Sequence, residues 1–320
     1  MAYLRGVREV PEDFGPSVVT IGKFDGVHIG HRAVIARLRA EADARDLPAV
    51  ALTFDRNPLA LLAPDRAPVS LVSPEQRAEL LRDAGVDTVV ELPFDRDFAA
   101  QTPGAFVEQI LVGLLGAAVV LVGSDFRFGH RGSGTLPLLR VFAAERGFEV
   151  VEVGDVAAGL GAEGGRRVSS SLIRELLDEG RVREATVLLA RAPTVRGTVV
   201  RGFQRGRQLG YPTANLSRDH EGYLPGDGVY ASRASIDGGA AMDAATSIGN
   251  NPTFEGVPDR TLEAHVLDRD LDLYDRTMEV AFVDHIRPMR RFEDMGALTT
   301  QMRSDESAIR RILGDPSSVR

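Results

Sequence analysis

The sequence predicts a two-domain chain: an α/β domain built on a parallel sheet, then a small antiparallel β-barrel or sandwich closed by a terminal helix. Three observations predict it. The chain has 320 residues, more than a single typical domain holds. Its first half alternates β-rich runs with helical periodicity, the pattern of strands joined by crossover helices. Beyond Pro193 that pattern stops, and short strand-like runs separated by turn residues follow.

Residues 18–21 read as a buried strand, followed after a glycine-rich turn by a helix over 31–44. Residues 49–54 form the next strand. Ser73, Pro74 and Gln76 then supply an N-cap, a first-turn proline and a capping-box partner, which opens a helix toward Gly85. Strands at 89–92, 119–122 and 148–153 alternate with helices at 103–115 and 136–146. Two amphipathic segments, 170–179 and 183–191, are expected to cover or flank this sheet. The strand-like runs of the second half are 195–200, 228–234, 244–248, 262–267 and 278–283, and residues 294–313 return to helical periodicity. The domains are expected to span residues 1–187 and 188–320.

Composition excludes several function classes. A net charge of −8 argues against a general nucleic-acid binder, which needs a basic face, but leaves small phosphorylated ligands open. Zero cysteines removes disulfides, thiol catalysis and cysteine-ligated zinc, and is compatible with a reducing cytoplasm. The most apolar stretch, 110–122, is too short to span a bilayer and contains Gly113 and Gly116. The N-terminus has no apolar core of signal-peptide length. We therefore expect a cytoplasmic protein acting on small molecules, without nucleic-acid or membrane partners, and a homo-oligomer stays open.

The string G-K-F-D-G-V-H-I-G-H at 22–31 lies between the first strand and the first helix. Glycines there let backbone N–H groups approach phosphate oxygens, and the helix N-terminus adds favourable dipole charge. His28 and His31 are three apart and share one face at a helix start, so both can donate to a polyphosphate whose charge rises during reaction. No nucleophile sits here, and none is needed if a substrate phosphate attacks. Alone, the segment would read equally well as a glycine-rich turn with two surface histidines.

The full string resembles the signature of the adenylyl- and cytidylyltransferase superfamily, in the variant found in bacterial FAD synthetases. Further segments match in family order: T-F-D-R-N-P at 53–58, V-G-S-D-F-R-F-G at 122–129 and S-S-S-L-I-R at 169–174. The resemblance implies a Rossmann-like nucleotidyltransferase sheet in which the FMN phosphate attacks the α-phosphorus of ATP and pyrophosphate leaves. It implies phosphate stabilisation by His28, His31 and Arg174. ATP would also be bound by Gly22, Phe24, Asp25, Gly26, Gly30, Ser170 and Ser171, although Asp25 reads equally well as a carboxylate capping the turn. Asn57, Asp125 and Phe128 are expected on the flavin side. Arg56-Asn57 stands where the family usually has Pro-His, so one phosphate-facing imidazole is replaced by an amide.

The second constellation is R-G-T-V-V-R-G-F-Q-R-G-R-Q-L-G-Y-P-T-A-N at 196–215. Gly202, Gly206 and Gly210 recur at four-residue spacing among arginines, which suits a nucleotide phosphate. Thr213 and Asn215 offer hard oxygen ligands on one side of an extended segment. This string is similar to the riboflavin kinase signature, whose module is a small β-barrel. L-P-G-D-G-V-Y at 224–230, I-G-N-N-P-T-F at 248–254 and L-E-A-H at 262–265 also match. The resemblance implies that Gly206, Arg207 and Gly210 bind ATP, that Thr213 and Asn215 hold Mg²⁺, and that Glu263 is the base for the riboflavin 5′-hydroxyl. Arg287 and Phe292 would border the flavin, and His265 receives no role. Flavins would be substrate and product, with ATP and Mg²⁺ serving both steps. Alternatives stay open: a strong kinase beside a weakened adenylyltransferase, a flavin-binding regulator without turnover, or a nucleotidyltransferase with a non-flavin acceptor.

Overall fold

The computed structural model describes residues 2–157, 165–202, 211–249, 260–269 and 271–314. Two compact units divide the chain, Met1–Ser169 and Ser170–Arg320.

The first unit holds a six-stranded sheet: β1 (Ala2–Arg5), β2 (Ser17–Ile21), β3 (Ala49–Phe54), β4 (Thr88–Leu92), β5 (Ala117–Gly123) and β6 (Glu149–Val153). Every pairing is parallel, in the order β1-β4-β3-β2-β5-β6. Helices lie on both faces, which is why the central strands read as unbroken apolar runs rather than alternating ones. Successive residues feed opposite cores. Val18, Ala51, Val89 and Leu121 join α1 (Ile29–Asp43) and α3 (Pro74–Asp83) on one face. Val19, Leu52, Val90 and Val120 join α5 (Pro103–Phe106), its continuation and α6 (Leu136–Arg146) on the other. Strand order reverses beside β2, since β3 lies to one side and β5 to the other. The carboxyl ends of β2 and β5 therefore frame the crevice where such sheets bind ligands.

The expected capping box of α3 is complete: Gln76 N–H donates to Ser73 Oγ and Ser73 N–H to Gln76 Oε1, each at 3.1 Å. The helix expected over 103–115 is α-helical for one turn only. It then widens into a π-helix, Val107–Leu114, where a side chain at Gly113 would stand 2.9 Å from the Glu108 carbonyl. β1 and two short helices, α2 (Pro58–Leu62) and α4 (Arg96–Ala100), were not expected.

The second unit opens with α7 (Ser170–Asp178) and α8 (Val182–Leu189), which cluster with the strands that follow them. A closed six-stranded antiparallel barrel follows: β7 (Thr194–Val200), β8 (Ala214–Leu216), β9 (Gly228–Ile236), β10 (Met242–Gly249), β11 (Thr261–Val266) and β12 (Thr277–Arg287). Its order is β10-β11-β8-β7-β12-β9, with β9 pairing β10 to complete the ring. Tyr230 and Phe282 are fully buried in it and meet edge-on. A C-terminal helix, Met295–Leu313, buries Ile309 and Leu313 beside Ala231 and Leu267.

The C-terminal end of α7 is anchored to the segment before β9. Gly226 N–H donates to the Leu177 carbonyl at 2.8 Å, and Tyr223 Oη–H to Asp178 Oδ1 at 2.8 Å. A β-carbon at residue 226 would collide with the Asp178 carbonyl oxygen. Gly226→Ala is therefore expected to cost about 1–3 kcal/mol in urea denaturation. At Gly154 a β-carbon meets nothing within 4 Å, so Gly154→Ala should stay within about 0.5 kcal/mol of the native chain. Equal stabilities for the two variants would contradict the anchoring contact.

Candidate active sites

In the first unit, β2 delivers residues 22–31 to the switch point. The loop takes positive φ at Phe24 (47°), Gly26 (81°) and Val27 (40°). Glycine adopts this freely, but at Phe24 and Val27 it costs about 1–3 kcal/mol each. Burial offsets the cost, because both side chains sit in the core beside Ile35 and Leu38. Phe24 thus presents main chain rather than ring to a ligand. Gly22 and Gly30 are closely packed: a β-carbon would lie 2.9 Å from the Phe24 ring at one and 3.1 Å from the His28 ring at the other.

The two histidines are brought together. His28 is the N-cap of α1, its Nδ1 accepting from His31 N–H at 3.3 Å. An accepting Nδ1 leaves the proton of the neutral ring on Nε2, so Nε2 is a donor. The rings stack with centroids 3.7 Å apart, and Phe24 meets His31 edge-on at 5.3 Å. Burial first, then the positive charges of His28, Lys23 and Arg167, push the His31 pKa well below the ordinary value of 6.5. His31 Nδ1 is buried with no hydrogen-bond partner among the described residues. The His31 imidazole is therefore held in its neutral form, and a polyphosphate brought beside it would favour its protonation.

Asp25 Oδ1 accepts from Leu71 N–H at 2.7 Å, which fixes the approach to α3. From α3, Arg77 returns to the loop. Its Nη1 lies 3.5 Å from the Lys23 carbonyl, and its Nη2 donates to the Phe54 carbonyl at 2.6 Å and to Glu91 Oε2 at 2.7 Å. Thr53 Oγ1 also reaches the Lys23 carbonyl, at 3.5 Å. The Arg77–Glu91 pair is buried, and it ties the glycine-rich loop to the 53–58 segment. Sequence reasoning missed Arg77, because an arginine on a capped helix reads as surface.

Asn57 caps α2, its Oδ1 accepting from Leu59 N–H at 3.0 Å, so its amide NH₂ is the group that can donate elsewhere. Asp125 is exposed and takes a 2.7 Å bond from Arg167, whose guanidinium holds the carboxyl below the usual carboxylate range. Phe128 is buried in the sheet core and stacks on the less buried Phe126, centroids 5.5 Å apart. Arg167 and Phe126 are also additions to the expected set. Arg167 is exposed in sequence terms and could be found only from its place beside Asp125 and His31.

In the second unit, α7 begins at Ser170 and Ser171, with Arg174 one turn on and Leu172, Ile173, Leu176 and Leu177 buried. In the barrel, β11 pairs with β8 so that Glu263 is opposite Asn215. Thr213 Oγ1 donates to Glu263 Oε2 at 3.3 Å. Gly202 packs against the Asn215 amide, whose Nδ2 a β-carbon there would strike. Hydroxyl, amide and carboxylate oxygens so gathered form a hard-donor set suited to magnesium, and no group of three histidines or acids competes among the described residues. Gly206, Arg207, Gly210 and residues 250–254 lie outside the described residues. Arg287 forms a separate group: its Nε and Nη2 bind the buried Asp305, Nη1 donates to the Pro288 carbonyl at 3.1 Å, and Phe292 lies 5.6 Å from the guanidinium.

Two predictions follow from the first site. Arg77→Met leaves Glu91 buried and unpaired, with an expected loss of about 3–5 kcal/mol by urea denaturation; the double variant Arg77→Met/Glu91→Leu should recover most of it. For His31, the folded chain refuses a proton that the unfolded chain binds between the depressed value and 6.5. Stability therefore rises with pH through this window and falls as pH drops below 6.5. Urea melts from about pH 5 to about pH 7 should show a shallower slope for His31→Gln than for the native chain; parallel slopes would exclude a depressed His31.

A FAD synthetase family model matches residues 10–172, and a riboflavin kinase family model matches residues 189–313. The bifunctional riboflavin kinase/FMN adenylyltransferase of Escherichia coli (strain K12) is 36% identical over 317 residues, covering 98% of each chain. That of Pseudomonas fluorescens is 35% identical over 320 residues, covering 100% of each. A solved structure described as a macrolide-efflux protein from Streptococcus pneumoniae is similar with a TM-score of 0.84 at 30% identity, over 96% of this chain and 98% of that one. No helix among the described residues is long and apolar enough to cross a membrane. With both catalytic families matched in order and relatives aligned end to end, the chain belongs to the bifunctional riboflavin kinase/FMN adenylyltransferases.

Proposed function

We propose that the family's two activities are divided between the two constellations, each using ATP: the barrel phosphorylates riboflavin to FMN, and the parallel sheet adenylylates FMN to FAD. The observation that carries this reading is the pairing of two unlike phosphate chemistries, stacked imidazoles on one unit and a Thr213–Asn215–Glu263 oxygen cluster on the other. The proposed catalytic division falls between residues 187 and 188, inside the interval between the two family matches. Riboflavin, FMN and ATP suit a cytoplasmic setting.

In the adenylyl site, His28 Nε2–H and His31 donate to the ATP phosphates, and Gly22, Phe24, Gly26 and Gly30 cradle them through main chain. Ser170, Ser171 and Arg174, at the start of α7, are the hydroxyl donors and planar cation that this reading assigns to ATP. Asp25 serves ATP by holding the loop, as its bond to Leu71 supports. The FMN phosphate is the nucleophile, so the enzyme's contribution is positioning and charge stabilisation rather than a covalent step. Asn57 offers its amide to the flavin phosphate, and Asp125 and Phe128 border the flavin, with Phe126 the more accessible ring.

In the kinase site, Glu263 takes the proton of the riboflavin 5′-hydroxyl as that oxygen attacks the γ-phosphorus. Thr213 and Asn215 would hold Mg²⁺, which neutralises phosphate charge when bound. Gly206, Arg207 and Gly210 bind ATP phosphates in this reading. Arg287 acts on the flavin indirectly, by fixing Phe292 and the C-terminal helix through Asp305.

Separate assays of FMN formation from riboflavin and of FAD formation from added FMN test the division. Glu263→Gln should lower phosphorylation about 10²–10⁴-fold and leave adenylylation intact. His28→Ala should do the reverse, with a loss of about 10²–10³-fold. Loss of both activities in either variant would contradict the division, and unchanged activities would remove the residue from its role.

A further inference from the structure

β11 turns Leu262, Ala264 and Val266 into buried positions and leaves Glu263 and His265 half-buried on its other face. Glu263 meets Thr213. Two residues along the same face, His265 Nδ1 lies 2.8 Å from the carbonyl oxygen of Pro212, the residue immediately before Thr213. A carbonyl only accepts, so Nδ1 carries the proton and donates. The His265 ring also meets Tyr211 edge-on, centroids 5.2 Å apart.

β11 and β8 pair at only two positions, Glu263 with Asn215 and Ala264 with Ala214. Pro212 and Thr213 therefore stand just outside the ladder, and Pro212 has no N–H of its own to offer. The peptide plane between them contains the Pro212 carbonyl and the Thr213 nitrogen, so whatever holds that oxygen sets the direction of the Thr213 side chain. We propose that His265 is a positioning residue of the kinase: by gripping the Pro212 carbonyl it aims Thr213 Oγ1 at the Mg²⁺ of MgATP. Magnesium demands near-octahedral oxygen geometry, so a ligand free to swing binds it poorly. One strand thus supplies both the base and the group that aims a metal ligand. This inference rests on Thr213 and Asn215 being the cation ligands.

The test uses the full chain with His265→Asn, His265→Gln, His265→Ala and Thr213→Ala. Asparagine places its amide nitrogen where Nδ1 stands, whereas glutamine places it where Nε2 stands. Two readouts are needed: the Mg²⁺ concentration giving half-maximal riboflavin phosphorylation, and calorimetric binding of MgADP, with the second nucleotide site and FAD formation from added FMN as internal references. His265→Ala and His265→Gln should bind MgADP about 10–100-fold more weakly at one site and need correspondingly more Mg²⁺. His265→Asn should remain near the native value, and FAD formation should be unchanged in all three. Native-like behaviour of His265→Ala, or an asparagine variant as weak as the alanine one, would overturn the proposal. If Thr213→Ala itself leaves the Mg²⁺ requirement unchanged, the ligand assignment fails instead, which separates the two errors.

Discussion

The glycine-rich loop of the parallel-sheet unit is framed by one buried charge pair. Parallel strands end with carbonyl groups that the ladder no longer satisfies, and the Phe54 carbonyl at the end of β3 is one of them. Arg77 supplies the missing donors from α3, binding Phe54 and Lys23 with its two terminal nitrogens while Glu91 on β4 balances its charge. The restraint is circular. Asp25, in the loop, binds Leu71 and so fixes the lead-in to α3, and α3 returns Arg77 to the carbonyl two residues before Asp25. Desolvating two charges is costly, and pairing them with further hydrogen bonds is what makes such a site tolerable. A lysine could not bridge these partners with the same planar fork.

The loop itself is held against its own backbone preference. Phe24 and Val27 sit at positive φ because their side chains are worth more in the core than their torsions cost. The same burial sets the chemistry. Burial holds the stacked His31 imidazole in its neutral form, and negative charge brought alongside would ease its protonation. In the barrel the logic is different: a two-residue strand pairing brings Glu263 against Asn215, and Gly202 leaves room for the amide.

Much of this was legible in the sequence. Alternating strand and helix patterns located β2 to β6 and α1, α3 and α6, and the bounds of β3 and α6 were read as the structure has them, because continuous apolar runs and strong caps mark them. Arg56-Asn57 raised the reading of a weakened adenylyltransferase; the FAD synthetase match across residues 10–172 supports the bifunctional reading instead. What stayed hidden has physical reasons. β1 carries four residues and β8 three, too short for a period to register. The π-helical turn brings the Glu108 carbonyl to where a β-carbon at Gly113 would stand, a close approach that no local pattern announces. Arg77 and Arg167 look like any surface arginine until the fold sets Glu91 and Asp125 beside them. Helices α7 and α8 carry an apolar face whose partner no local pattern names.

Closure of the barrel has a consequence for how the chain behaves at high concentration. Among the described residues, a ring of six paired strands leaves no open sheet edge for a neighbouring molecule to extend, which removes the usual template for intermolecular β-pairing. The parallel sheet does have two free margins. One is only four residues long, and the other, β6, is lined by the charged pairs Arg45–Glu149 and Arg140–Glu152, whose hydration a strand laid alongside would have to strip away.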